Sequence, residues 1–169
     1  MNMKYAKYLI LLVAIIVVFA VLLRYHANQQ APASTTSGAD TSAALAINAH
    51  LPMETIKIGS TTLRVEVASD DAERQQGLSD RTSLEQGTGM LFVFAPPRAV
   101  NFWMKDMQFS LDMVFANTDG VIIKIDTDVT PESYPKLFPS GSPIMYVLEI
   151  PAGYAATSGI AVGQKIVVQ

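Results

Sequence analysis

The chain has 169 residues, half of them apolar, and a formal charge of −3 that is unevenly spread. From Glu54 onward 14 acidic residues stand against 9 basic ones, a net of −5 with no Lys/Arg stripe, which excludes a protein built to grip phosphate backbones, so no nucleic-acid partner is expected. Cysteine is absent and both histidines, His26 and His50, precede that part, so disulfides, thiolate metal sites, a Ser-His-Asp triad and a conventional zinc centre are excluded within it.

Residues Leu9 to Leu23 form an uninterrupted apolar run with Tyr5, Tyr8 and Tyr25 at its ends. Counting these aromatics as interfacial anchors, Tyr5 to Tyr25 matches the roughly 20 residues that span about 30 Å of hydrocarbon. Lys4 and Lys7 orient the N-terminus to the cytoplasm, so the expectation is a single-pass transmembrane anchor over residues 1–25 with the rest of the chain outside the cytoplasmic membrane. A cleaved signal peptide, leaving a secreted or periplasmic product, is the alternative. Against it, the nearest small-x-small site, Ala31-Pro32-Ala33, contains proline and lies far downstream, and a lipoprotein would need a cysteine. Residues 26–53 are rich in Ala, Ser, Thr, Gln and Asn, carry Asp40 as their sole acidic residue and show no apolar period; they read as a flexible linker.

The remaining segment, residues 54–169, is long enough for one core and shows mostly period-two patterning. Leu63, Val65 and Val67 alternate with Arg64 and Glu66, after a Gly59-Ser60 turn from Ile56 and Ile58. Asp70 with Glu73 forms a capping box for one short helix that Gly77 closes. Phe109, Leu111, Met113 and Phe115 alternate with Ser110, Asp112 and Val114; Asn117 to Gly120 then signals a hairpin into Val121, Ile123 and Ile125. Further strands are expected at Ile144–Ile150 and Lys165–Val168. The fold class is therefore mainly β, a small β-sandwich or barrel with one short helix.

Arg74-x-x-Gly77-Leu78-x-x-Arg81-x-x-Leu84, Gly89-Met90-Leu91-Phe92-Val93-Phe94, Phe102-Trp103-Met104-Lys105, Leu111-Asp112-x-x-Phe115 and the late Val147-Leu148-Glu149, Ala152-Gly153 and Gly159-Ile160 follow one another in an order that resembles the domain of unknown function 192 family. The resemblance covers nearly all of residues 54–169 and implies a jelly-roll-like β domain, often behind a signal or anchor segment, with no established activity. The chain departs from the family pattern at Ser79, Asp106-Met107, Ser110 and Gln164, where Met, Asn-Thr, Pro and an acidic residue are usual.

On a strand through Phe102–Lys105, Trp103 and Lys105 share one face and Phe102 and Met104 the other. If the neighbouring strand brings Asp112 to the first face, Trp103, Lys105 and Asp112, with Arg81 and Glu149, line a polar concavity with an aromatic floor suited to a sugar ring or small polar ligand. The competing reading has Asp112, Arg81 and Lys105 tying loops together and Trp103 packing in the core or at its rim. Asp112 and Glu149 are also the best carboxylate pair for acid-base hydrolysis. Met104-x-x-Met107 is a short thioether spacing, but methionine is far more often a core filler, and Asp119, Asp126 and Asp128 fit no EF-hand loop, so neither metal nor cofactor is expected. The sequence expectation is an anchored extracytoplasmic binding or accessory module for a carbohydrate-like ligand or an envelope protein; the alternatives are a carboxylate-based hydrolase and a purely structural or assembly protein.

Overall fold

A computed structural model describes residues 51–169. The expected anchor and nearly all of the expected linker lie outside the described residues, and no helix among the described residues is long and apolar enough to cross a membrane. The elements in chain order are β1 (Met53–Ile58), β2 (Thr61–Ala68), α1 (Asp71–Gln76), β3 (Thr88–Arg98), β4 (Asn101–Phe102), β5 (Leu111–Ala116), β6 (Ile122–Val129), a 3-10 turn (Pro131–Ser133), β7 (Phe138–Pro139), β8 (Ile144–Pro151), α2 (Tyr154–Thr157) and β9 (Ile166–Val168).

Seven strands form one sheet in the order β6-β5-β8-β3-β2-β1-β9, and β4 and β7 form a separate two-stranded ribbon. The sheet curls: its two outer strands approach at one end, where Val121 bridges Lys165 and the Ile122 amide donates to the Gln164 carbonyl at 2.8 Å. The mainly β expectation holds as this curled sheet, and two short helices accompany it where one was expected.

Local chemistry sets the connections. Gly59, at φ +58, opens the two-residue turn that pairs Ile58 with Thr61. The Asn117 carboxamide oxygen accepts from the Asp119 and Val121 amides and so shapes the expected β5–β6 hairpin. Strands β2 and β3 are parallel, which demands a crossover, and α1 supplies part of it. Its capping box is complete: Asp70 accepts from the Glu73 amide at 2.8 Å and the Glu73 carboxylate accepts from the Asp70 amide at 3.0 Å, while Gly77 ends the helix at φ +49.

Both faces of the sheet are covered. One buries Ile56, Ile58, Leu63, Val65, Leu91, Val114, Leu148, Ile150 and Ile166; the other buries Met90, Phe92, Phe94, Met113, Phe115 and Val147 under Leu78, Met104 and Phe138. Phe102 anchors the ribbon to the second face with edge-on contacts to Phe92, Phe94 and Phe115 at centroid distances of 5.0, 6.3 and 6.0 Å. This double cover explains a departure from the expected half-buried pattern: all six residues of β5, Asp112 included, are buried. The proline-rich stretch Pro131–Pro143 provides β7, whose Phe138 pairs with Phe102 and closes over the second face.

Candidate functional site

The register of the sheet places Glu149 between two methionines. On β8 it pairs with Met90 of β3 and with Met113 of β5, so all three side chains share the second face. The Glu149 side chain is 5 % exposed, and among the described residues no group donates to its carboxyl or forms an ion pair with it. Burial alone pushes its pKa up, from 4.5 to about 8, so the group is mostly a neutral acid at pH 7.

That acid faces a cavity of about 420 Å³ lined by α1 and the loop after it, the end of β3, the ribbon and Glu149. Phe92, Phe94, Phe102 and Trp103 form its aromatic walls, with Leu78 and Met107 beside them. Arg74, Arg98, Lys105 and Asp71 supply the ionised groups. Arg74 is a fixed part of the wall: it donates to the Ser69 and Val93 carbonyls, pairs with Asp71 at 2.7 Å and lies 5.2 Å over the Phe94 ring centroid. Arg98 covers the same ring at 5.2 Å and reaches Asp71 at only 3.4 Å, with half its side chain in solvent. Hydrogen bonds from Arg74 and then Arg98 hold the Asp71 carboxyl below the usual carboxylate range. Lys105 is 56 % exposed, and its closest carboxylate is Asp106 at 3.6 Å.

Of the five residues that sequence reasoning gathered, the structure brings three together: Trp103, Lys105 and Glu149 all line this cavity. The in-out alternation through Phe102–Lys105 survives although the strand itself ends at Phe102, with Met104 buried and Trp103 48 % exposed. Asp112 is elsewhere. It pairs with Ile150, one residue from Glu149, and therefore points to the opposite face. There its carboxylate accepts from the Asp128 and Gly153 amides at 2.9 and 3.1 Å and from the Ala155 amide at 2.9 Å, fastening β5 to the end of β6 and to α2. Arg81 is also elsewhere, forked onto Glu66 with contacts of 2.5 and 2.7 Å that tie the crossover to β2. The acid-base pair of Asp112 and Glu149, weighed as the alternative, does not form, because a β-sheet separates the two carboxyls.

Arg98 was not singled out from the sequence, and Arg74, Phe92, Phe94 and Phe102 entered it as family-motif residues without being assigned to the site. The signal was present in Gly77-Leu78 and Phe92-x-Phe94, which the motif reading noted, but only the docking of the ribbon shows that they surround one space. Among the described residues there is no group of three His, Cys, Asp or Glu side chains able to hold a metal ion.

Comparison with known proteins gives the same β domain without an activity. Residues 54–168 match the family described as DUF192, uncharacterized ACR. A crystal structure from Sinorhizobium meliloti, provisionally assigned to transcription regulation, is 34 % identical with a TM-score of 0.67, covering 70 % of this chain and 95 % of that one. Another from Novosphingobium aromaticivorans, of unknown function, is 32 % identical with a TM-score of 0.66, covering 69 % of this chain and 86 % of that one. No curated protein matches the sequence. With the family pattern running from the first strand to the last, the chain belongs to the DUF192 family.

Proposed function

We propose that this domain is a non-catalytic binding module that takes a small, ring-bearing polar ligand of the carbohydrate kind in the cavity beneath Trp103. One observation carries the reading: Glu149, only 5 % exposed, lines a space large enough for a ligand and has no partner for its carboxyl among the described residues. A buried polar group left unpaired costs roughly 1–3 kcal/mol, and a ligand hydroxyl in the cavity offsets that by both donating to and accepting from the neutral acid. Trp103, half in solvent at the mouth, offers a flat face for the apolar side of a sugar ring.

Held outside the cytoplasmic membrane by the N-terminal apolar segment, such a module meets envelope saccharides. A second reading, an envelope protein docking on the same side, is supported by the exposure of Tyr134 and Leu137 in the segment that leads into the ribbon. A hydrolytic role has less support, since the other carboxyl of the cavity lining, Asp71, is committed to Arg74 and Arg98. The regulatory assignment of the Sinorhizobium relative finds no basic stripe in the acidic residues 54–169 of this chain.

Trp103 is the only tryptophan, so its emission tests the reading in the full chain. Screened against neutral and charged monosaccharides, a saturable shift that Glu149→Leu abolishes with the fold intact is the expected result. Emission that no sugar moves, or a shift that survives Glu149→Leu, contradicts it.

A further inference from the structure

We infer that the ligand of this cavity is an acidic sugar, a pyranose-sized ring whose carboxylate is held by Arg98 and Lys105 at the mouth while a hydroxyl meets Glu149 at the floor. The inference rests on the binding reading above and adds the charge of the ligand.

Charge is distributed against the trend of the domain. Residues 54–169 are acidic, at −5, yet the cavity lining carries three cations, Arg74, Arg98 and Lys105, against one ionised carboxylate, Asp71, because Glu149 is neutral. The lining is thus +2, and low-dielectric aromatic walls intensify that local field. The cations are not equally available. Arg74 spends its donors on two carbonyls and Asp71, whereas Arg98 and Lys105 each have only a long contact to an exposed carboxylate, at 3.4 and 3.6 Å. An anion entering the mouth finds two partly free cations there.

The backbone argues for a carboxylate rather than a phosphate. Phosphate sites are commonly built from a cradle of free backbone amides or an open helix N-terminus. Here four of the lining amides are already committed: Gly77 donates to Glu73, Ser79 to Gln76, Val100 to the Ser140 hydroxyl and Met107 to Met104. The N-terminus of α1 is closed by its own capping box. The side chains on offer are a flat guanidinium, whose fork takes a carboxylate as well as a phosphate, and an ammonium, so it is the closed helix end and the scarcity of a free amide cradle that favour the single planar carboxylate.

The test is a Trp103 emission titration of the full chain with D-glucuronate, D-glucose and D-glucose 6-phosphate at low salt and pH 7. The expected result is half-saturation by glucuronate at a concentration about tenfold below that for glucose, a preference that fades toward about 0.5 M salt and disappears in Arg98→Gln/Lys105→Gln. Both side chains are largely exposed, so the double variant keeps the fold. Glucose binding as well as or better than glucuronate overturns the acidic ligand and leaves the sugar site standing. Tighter binding of the 6-phosphate overturns the carboxylate in favour of a phosphorylated sugar. No response to any of the three overturns the inference and the binding reading together.

Discussion

Replacing Glu149 with glutamine keeps the shape of the side chain and removes its ability to ionise. In the folded wild type the carboxyl titrates at about 8, against 4.5 for the ordinary group, so between those values the native state keeps a proton that the unfolded chain has released. Stability therefore falls as pH rises through this window: the contribution is fully present below about 4.5 and lost once pH passes about 8. The gap of 8 minus 4.5, at about 1.4 kcal/mol per pH unit, amounts to ~5 kcal/mol, and the part already lost at pH 7 is ~3 kcal/mol. Glu149→Gln lacks this slope. Urea unfolding of both proteins from pH 4.5 to 9 measures it, and taking the difference at each pH cancels the other carboxylates, which the two proteins share. The variant is expected to match wild type within about 1 kcal/mol at the acid end and to exceed it by several kcal/mol above pH 8. Parallel curves, with a constant offset across the range, would refute the buried neutral acid.

Four further outcomes follow from the same geometry. Asp112→Ala leaves the Asp128, Gly153 and Ala155 amides without their acceptor and should cost about 3–5 kcal/mol in denaturant unfolding, larger than any single loss at the cavity rim. Gly89→Ala puts a Cβ 2.7 Å from the Glu149 carbonyl oxygen and should lower stability by about 1–3 kcal/mol in the same assay. Asp70→Ala opens the capping box of α1, with an expected loss of about 1 kcal/mol. Trp103→Ala should change the unfolding midpoint little, because half the side chain is already in solvent, yet abolish sugar binding by calorimetry; retained binding would remove Trp103 from the site.

Local signals carried far in this chain. The Gly59-Ser60 turn, the capping box from Asp70 to Glu73 and the Asn117–Gly120 hairpin are short-range chemistry, readable because each is settled within a few residues. Trp103 and Lys105 were assigned a common side by alternation, and both do line the cavity, although the strand ends at Phe102 and Lys105 lies in a turn. Asp112 shows where that logic stops. Period two states that Asp112 and Met113 face opposite ways, but not which face is the open one, and here both faces of β5 are buried. The partners of its carboxylate are backbone amides 16 to 43 residues away, which no side-chain pattern announces. Glu149 was legible as a residue and not as an environment: its isolation follows from being flanked by Met90 and Met113 on strands far apart in sequence. The cavity was least legible, since it exists only once the β4–β7 ribbon and the α1 crossover are docked over the sheet.

The measurement closest to the central claim is a carbon-13 NMR titration of the glutamate carboxyls in the full chain, with and without saturating glucuronate. Glu149 is expected to stand apart from the other glutamates by titrating near 8, and its resonance to shift when the sugar is added, because the ligand supplies the partner that the fold withholds. A Glu149 signal that titrates with the ordinary carboxylates near 4.5, and that no added sugar moves, would contradict both the neutral acid and the site built around it.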